Sequence, residues 1–170
     1  MTETHIAYTY DTDDKVLTQD DPHNHGPINL ANALRYLSGT ALPPRPYGCG
    51  RCAFFVIEAL KFGGAVYDVY ADKGYAKNFG PTLVDMGFKA LDNVSKLSDY
   101  TTPMTGDVVV LDEWTGHSGP EGHMQMYDGT YWLSDHLQTQ GFWPWTGSNL
   151  PANAATLPTF TVYRYTPPGQ

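Results

Sequence analysis

A cysteine at 52, a histidine at 123 and a carboxylate at 135 are the residues whose types and order suit nucleophilic chemistry. Cys52 opens an apolar stripe. Cys52, Phe55, Val56, Ala59 and Leu60 fall at i, i+3, i+4, i+7 and i+8, one face of an α-helix. Gly63-Gly64 predicts the end of that helix and Gly50 its start, so Cys52 sits in the first turn. Unpaired backbone N–H groups and the positive end of the helix dipole favour a thiolate there. The sequence therefore predicts a thiol pKa below the free-cysteine value of about 8.5. The thiolate is the nucleophilic form, and the placement suits covalent catalysis.

A cysteine nucleophile needs a base, and the base needs an orienting partner. Histidine is the usual base because its pKa lies near the working pH. The chain has six: His5, His23, His25, His117, His123 and His136. Only His123 begins a predicted strand, in Gly122-His123-Met124-Gln125-Met126-Tyr127. A strand end bordering a helix N-terminus is a rigid mount for a base. The third group is expected on the next strand, where Ser134, Asp135 and His136 follow one another. Register decides among them, because neighbouring residues point to opposite faces. A three-residue loop pairs Tyr127 with Tyr131 and so His123 with Asp135, whereas a two-residue loop pairs His123 with Ser134. A carboxylate stabilises the imidazolium formed during reaction, which favours Asp135, with Ser134 as the alternative.

These residues need a scaffold, and its elements are readable. A helix is predicted after Pro27, with Leu30, Ala33, Leu34 and Leu37 on its apolar face and Ser38-Gly39 at its end. Residues 42–48 are proline-rich, rigid and extended, and feed the Cys52 helix. Residues 81–86 read as a short helix with Pro81 in its first turn and Gly87 past its end. Residues 107–111 form a β-branched run behind Gly106, a buried strand. Residues 123–127 and 131–135 flank a turn around Asp128-Gly129, a hairpin signal. Residues 160–165 alternate and supply a last strand, after a long loop over 138–158. Helices first and an antiparallel sheet afterwards make an α+β chain. Residues 1–26 are polar and acidic, and read as a surface segment or loosely attached arm of a single domain spanning 1–170.

Composition narrows the partners. The chain is 41% apolar and 14% aromatic, which argues against disorder. A net charge of -8 disfavours nucleic acid and anionic membrane surfaces as partners. No apolar run approaches the roughly 20 residues that span a bilayer. The first residues, Met1-Thr2-Glu3-Thr4-His5, lack the basic and apolar regions of a signal peptide. Synthesis in the cytoplasm is expected, with delivery by another route if the protein acts outside.

A cysteine opening a helix, a Gly106-to-Leu111 strand, Gly122-His123 opening a hairpin and a polar residue 12 positions later resemble the NlpC-type and CHAP-type papain-like peptidoglycan hydrolases. The resemblance covers about residues 48–136. More narrowly, Gly50-Arg51-Cys52-Ala53, Phe79-Gly80-Pro81, Gly122-His123-Met124, Met126-Tyr127-Asp128-Gly129 and Trp132-Leu133-Ser134-Asp135 resemble the amidase effectors of bacterial type VI secretion systems. The resemblance implies a papain-like fold, the Cys52 helix packed on an antiparallel sheet. It implies Cys52 as nucleophile, His123 as base and Asp135 as orienter, with no metal or cofactor. Its implied substrate is an amide bond in peptidoglycan stem peptides, often the γ-D-glutamyl–diaminopimelate bond. It also implies a cognate immunity protein and delivery to the periplasm of a target cell, or release by phage lysis.

Other readings compete. Cys49-Gly50-Arg51-Cys52 has the spacing of a thiol–disulfide oxidoreductase, but that motif normally follows a strand, and residues 42–46 make a poor one. A zinc site from Cys49, Cys52 and two histidines lacks a second ligand pair at the usual spacing. A non-enzymatic wall-binding module would use Trp114, Trp132, Trp143 and Trp145 to stack on sugars, although the same side chains can fill a core.

Overall fold

The computed structural model describes residues 8–10, 16–19, 27–41, 50–65, 74–94, 96–113, 120–139, 141–144 and 157–167. Cys49, the proline-rich segment 42–48, His5, His23, His25, His117, Trp114 and Trp145 lie outside them, as does most of the acidic arm. Within that arm, β1 (Tyr8–Tyr10) and β2 (Val16–Gln19) pair antiparallel as a two-stranded sheet of their own, which the sequence did not predict.

Two helices follow. In α1 (Leu30–Thr40) the Asn29 side chain accepts the N–H of Asn32, an N-cap worth about 1 kcal/mol. Ser38-Gly39 does not stop this helix. It runs on to Thr40, whose hydroxyl donates to the Tyr36 carbonyl. The second helix, α2 (Cys52–Phe62), starts and ends where the periodicity and glycines predict. Val56, Ala59 and Leu60 of its stripe are fully buried, joined by Ala53 and Ile57, while Phe55 is partly exposed and Cys52 is partly exposed as a residue but has its sulfur mostly enclosed. The helices meet closely at Gly63, whose carbonyl accepts the Asn29 N–H at 2.7 Å. A Cβ on Gly63 would sit 2.7 Å from the Asn29 carbonyl oxygen, so only glycine allows that approach.

The sheet comes next. A 3-10 turn (Ala76–Asn78) leads into α3 (Gly80–Asp85), which carries Pro81 at its start as expected. The strands are β3 (Phe88–Ala90), β4 (Val108–Leu111), β5 (His123–Tyr127), β6 (Trp132–Leu133), β7 (Leu137–Gln138) and β8 (Phe160–Tyr165). They form one antiparallel sheet in the order β3-β8-β4-β5-β6-β7. Period 2 then sorts side chains to opposite faces. Val108 and Val110 pack with Met124, Met126, Val56 and Leu60 under the helices. Val109 and Leu111 pack with Tyr100, Trp132, Phe142, Phe160 and Val162 on the far side. Covered on both faces, β4 is apolar at every position, which explains its unbroken run. Trp132 is a core residue, and Trp143 packs against the same cluster. Among the described residues no helix is long and apolar enough to cross a membrane.

The hairpin register differs from both expectations. Tyr127 pairs with Trp132 and Met126 with Leu133, so the loop holds four residues, 128–131. The Asp128 side chain is the cause. It accepts the N–H groups of Thr130 and Tyr131 at 2.7 and 2.6 Å and builds a wider turn than Asp128-Gly129 alone. The second strand also stops at Leu133, not at Asp135. His123 therefore has no ladder partner at 134 or 135. It pairs instead with Leu111 of β4.

Candidate active site

Cys52 begins α2 behind Arg51, whose φ of -122° and ψ of 28° make it the N-cap. The Arg51 side chain makes no capping hydrogen bond, and the main chain of Cys52 and Ala53 turns to the Cys52 sulfur instead. The Cys52 sulfur lies against the main chain of Met124, the residue after His123. The helix start and the strand start thus meet as the sequence reading expected.

The thiol's acidity is a correction. Cys52 is pushed up to about 11, not down. Burial of the sulfur is the largest cause, and the negative charge of Asp135 adds to it. The main chain of Met124, Ala53 and Cys52 itself pulls the other way and loses. A helix N-terminus contributes only about 0.3–1 kcal/mol at an exposed site, less than burial of a thiolate costs. Near neutral pH the Cys52 thiol keeps its proton, and a base would be needed to make it nucleophilic.

His123 is buried at the first position of β5. Its preceding residue is fixed by sterics. Gly122 has φ 66°, and a Cβ there would lie 2.3 Å from the Leu111 carbonyl oxygen and 2.9 Å from Lys77 Cβ. Only glycine can deliver the chain into β5 at this point.

Asp135 reaches the site through the tight turn between β6 and β7, where the Ser134 N–H donates to the His136 carbonyl at 3.1 Å. Its carboxylate is 1% exposed. Oδ2 accepts the Arg51 backbone N–H at 3.1 Å, tying the carboxylate to the residue before Cys52. Oδ1 lies 3.2 Å from Ser134 Oγ and 3.1 Å from His136 Nδ1. Ser134 and His136, the other two candidates, are thus buried neighbours of Asp135.

One polar residue was missed. Gln138 places its Nε2 3.2 Å from His123 Nε2 and 3.2 Å from Ser134 Oγ. The sequence put it in a long loop, because β7 is two residues long and shows no period. At the mouth of the site the exposed Arg51 guanidinium stacks 4.0 Å from the centroid of the half-exposed Phe54 ring.

The arrangement offers a largely enclosed thiol at a helix start, a buried histidine one residue from the main chain that the sulfur meets, and a carboxylate tied to the Arg51 N–H, groups of the kinds that carry out acyl transfer. No protein-family model and no curated protein matches the chain. Two solved structures do. The crystal structure of the type VI native effector–immunity complex Tae3–Tai3 from Ralstonia pickettii matches with 34% identity and a TM-score of 0.63, over 81% of this chain and 99% of the other. The selenomethionine form of that complex matches with 34% identity and a TM-score of 0.59, over 78% and 98%.

Proposed function

The chain belongs to the Tae3 family of type VI effectors, and from that premise we propose that it is an antibacterial cysteine amidase that cuts peptide stems of bacterial peptidoglycan. The bond we assign is the γ-D-glutamyl–diaminopimelate amide. The α2 start on an antiparallel sheet is read as a papain-like framework. Cys52 is the nucleophile, His123 the base and Asp135 the carboxylate that steadies the charged intermediate state. The neighbours are effector–immunity complexes, so the partners are peptidoglycan and a cognate immunity protein. Delivery is into the periplasm of a target cell.

One observation supports the reading: the thiol at the start of α2 lies against the main chain that follows a buried histidine. His123 removes the Cys52 proton as the sulfur attacks the stem carbonyl. The negative charge passes to the carbonyl oxygen, which the N–H groups at the start of α2 stabilise. The C–N bond breaks, His123 returns the proton to the departing amine, and a thioester remains. Water, deprotonated by His123, opens the thioester and restores the thiol. Asp135 has two opposed effects. Its charge disfavours an isolated thiolate on Cys52, and it favours an imidazolium, so it selects proton transfer over prior ionisation.

The test is digestion of purified sacculi with mass spectrometry of the released muropeptides. The wild-type protein releases fragments ending at the assigned bond, and Cys52→Ala releases none. Normal digestion by Cys52→Ala would sink the mechanism.

A further inference from the structure

Gln138 is a buried amide with an unusual contact. It is 4% exposed, and its Oε1 has no hydrogen-bond partner. Its Nε2 meets Ser134 Oγ and His123 Nε2, each at 3.2 Å. Leaving a buried carbonyl unpaired is destabilising, and a leucine of similar volume would avoid that cost. Packing alone gives no reason for an amide here.

The contact with the ring supplies a reason. An imidazole Nε2 accepts when bare and donates when protonated. A primary amide carries both a donor and an acceptor on one planar group. For Nδ1 to take a proton from Cys52, Nε2 must carry the ring hydrogen in the neutral form as it does in the imidazolium, and the amide, given a half-turn about its terminal bond, presents C=O to that N–H in both. Gln138 can therefore grip the ring in either charge state. Being neutral, it does so without the charge by which Asp135 raises the Cys52 thiol.

We propose that Gln138 is a positioning residue for the reaction: its amide anchors His123 through Nε2 and steadies the ring in both protonation states. β7 brings it there by pairing Gln138 with Trp132 and Leu137 with Leu133. The inference rests on His123 being the base. Of the titratable or charged groups nearby, the His136 ring lies 6.5 Å from the His123 ring, Asp135 adjoins His136, the Cys52 sulfur lies against the main chain of Met124, and Lys77 and Glu121 lie beside Gly122.

Two variants test it on the full chain, Gln138→Leu and Gln138→Glu, with two readouts. Alkylation of Cys52 by iodoacetamide across pH needs no wall substrate, and muropeptide release reads turnover. Gln138→Leu lowers kcat roughly ten- to hundredfold with KM little changed, the cost of a ring no longer held. Its melting temperature does not fall. Gln138→Glu puts a negative charge beside Nε2, so the limb of the alkylation profile set by His123 moves up by about one pH unit or more. Wild-type turnover in Gln138→Leu, or a Gln138→Glu profile that overlays the wild type, overturns the proposal. Shifted alkylation with no muropeptide release from any form, wild type included, supports the positioning role and overturns only the wall substrate.

Discussion

Two buried aspartates lie in this molecule, and their surroundings are unlike. Asp107, just before β4, is 1% exposed and meets permanent partners. Arg164 of β8 grips both its oxygens at 2.7 Å, the Tyr100 hydroxyl donates to Oδ2, and the Met104 N–H adds a bond at 2.9 Å. Asp135 is equally buried, and its contacts include a backbone N–H, a hydroxyl and an imidazole. The guanidinium at Asp107 stays charged at any pH the protein meets, and burial next to Asp107 raises Tyr100 so that it too keeps its proton. The first carboxylate belongs to a closed network that pins the 100–107 segment to β8. The second sits among groups able to move protons. Burial of a carboxylate does not mark a site; the titratability of what surrounds it does.

Three measurements press on that contrast. The largest effect is expected at Asp135. Asp135→Asn keeps the shape and removes the charge, and the muropeptide release rate falls about a thousandfold or more, by analogy with other orienting carboxylates. The melting temperature changes little. At Asp107 the pattern reverses. Asp107→Ala strands Arg164 and Tyr100 and lowers the unfolding free energy by about 3 kcal/mol, the low end for a broken buried pair because the Arg164 side chain is 30% exposed. Urea midpoints read this loss, while Cys52 alkylation of the folded protein keeps the wild-type rate. Should Asp107→Ala silence Cys52 without unfolding, the two networks are one.

The smallest effect is alkaline. Folding favours the neutral Cys52 thiol, since its pKa rises from an ordinary value near 8.5 to about 11. The stability this provides is complete below the unfolded value and is lost as pH climbs through about 11. Wild type should therefore lose more stability than Cys52→Ala between pH 9 and 11. Parallel pH–stability curves would mean the thiol is not shielded.

Much of the framework was readable from local pattern. The Cys52 helix was, because five positions kept helical spacing between glycines. β4 and β8 were, because β-branched runs and alternation have one reading each. The hairpin register was not, because the Asp128 side chain set the loop length, and no strand periodicity encodes that. Asp135 was named, yet it arrives by a turn and not by cross-strand pairing. β3, β7 and the arm's small sheet are too short to carry a period. The Cys52 acidity was read with the wrong sign. Helix position is visible in sequence, whereas the burial and the Asp135 charge that outweigh it arise only when the chain has folded.

The position of β8 bears on synthesis. β4 pairs with β5 through a nearby connection, but its other edge is filled only by β8, with Leu111 opposite Phe160. A ribosome adding about 5–20 residues per second leaves that edge bare for several seconds after β4 emerges. Through that interval Arg164 is missing as well, and Asp107 waits without its cation. The sheet that carries His123 is thus completed late in translation, and a nascent chain truncated before 160 would have β4 to β7 but neither the completed sheet nor its charge lock.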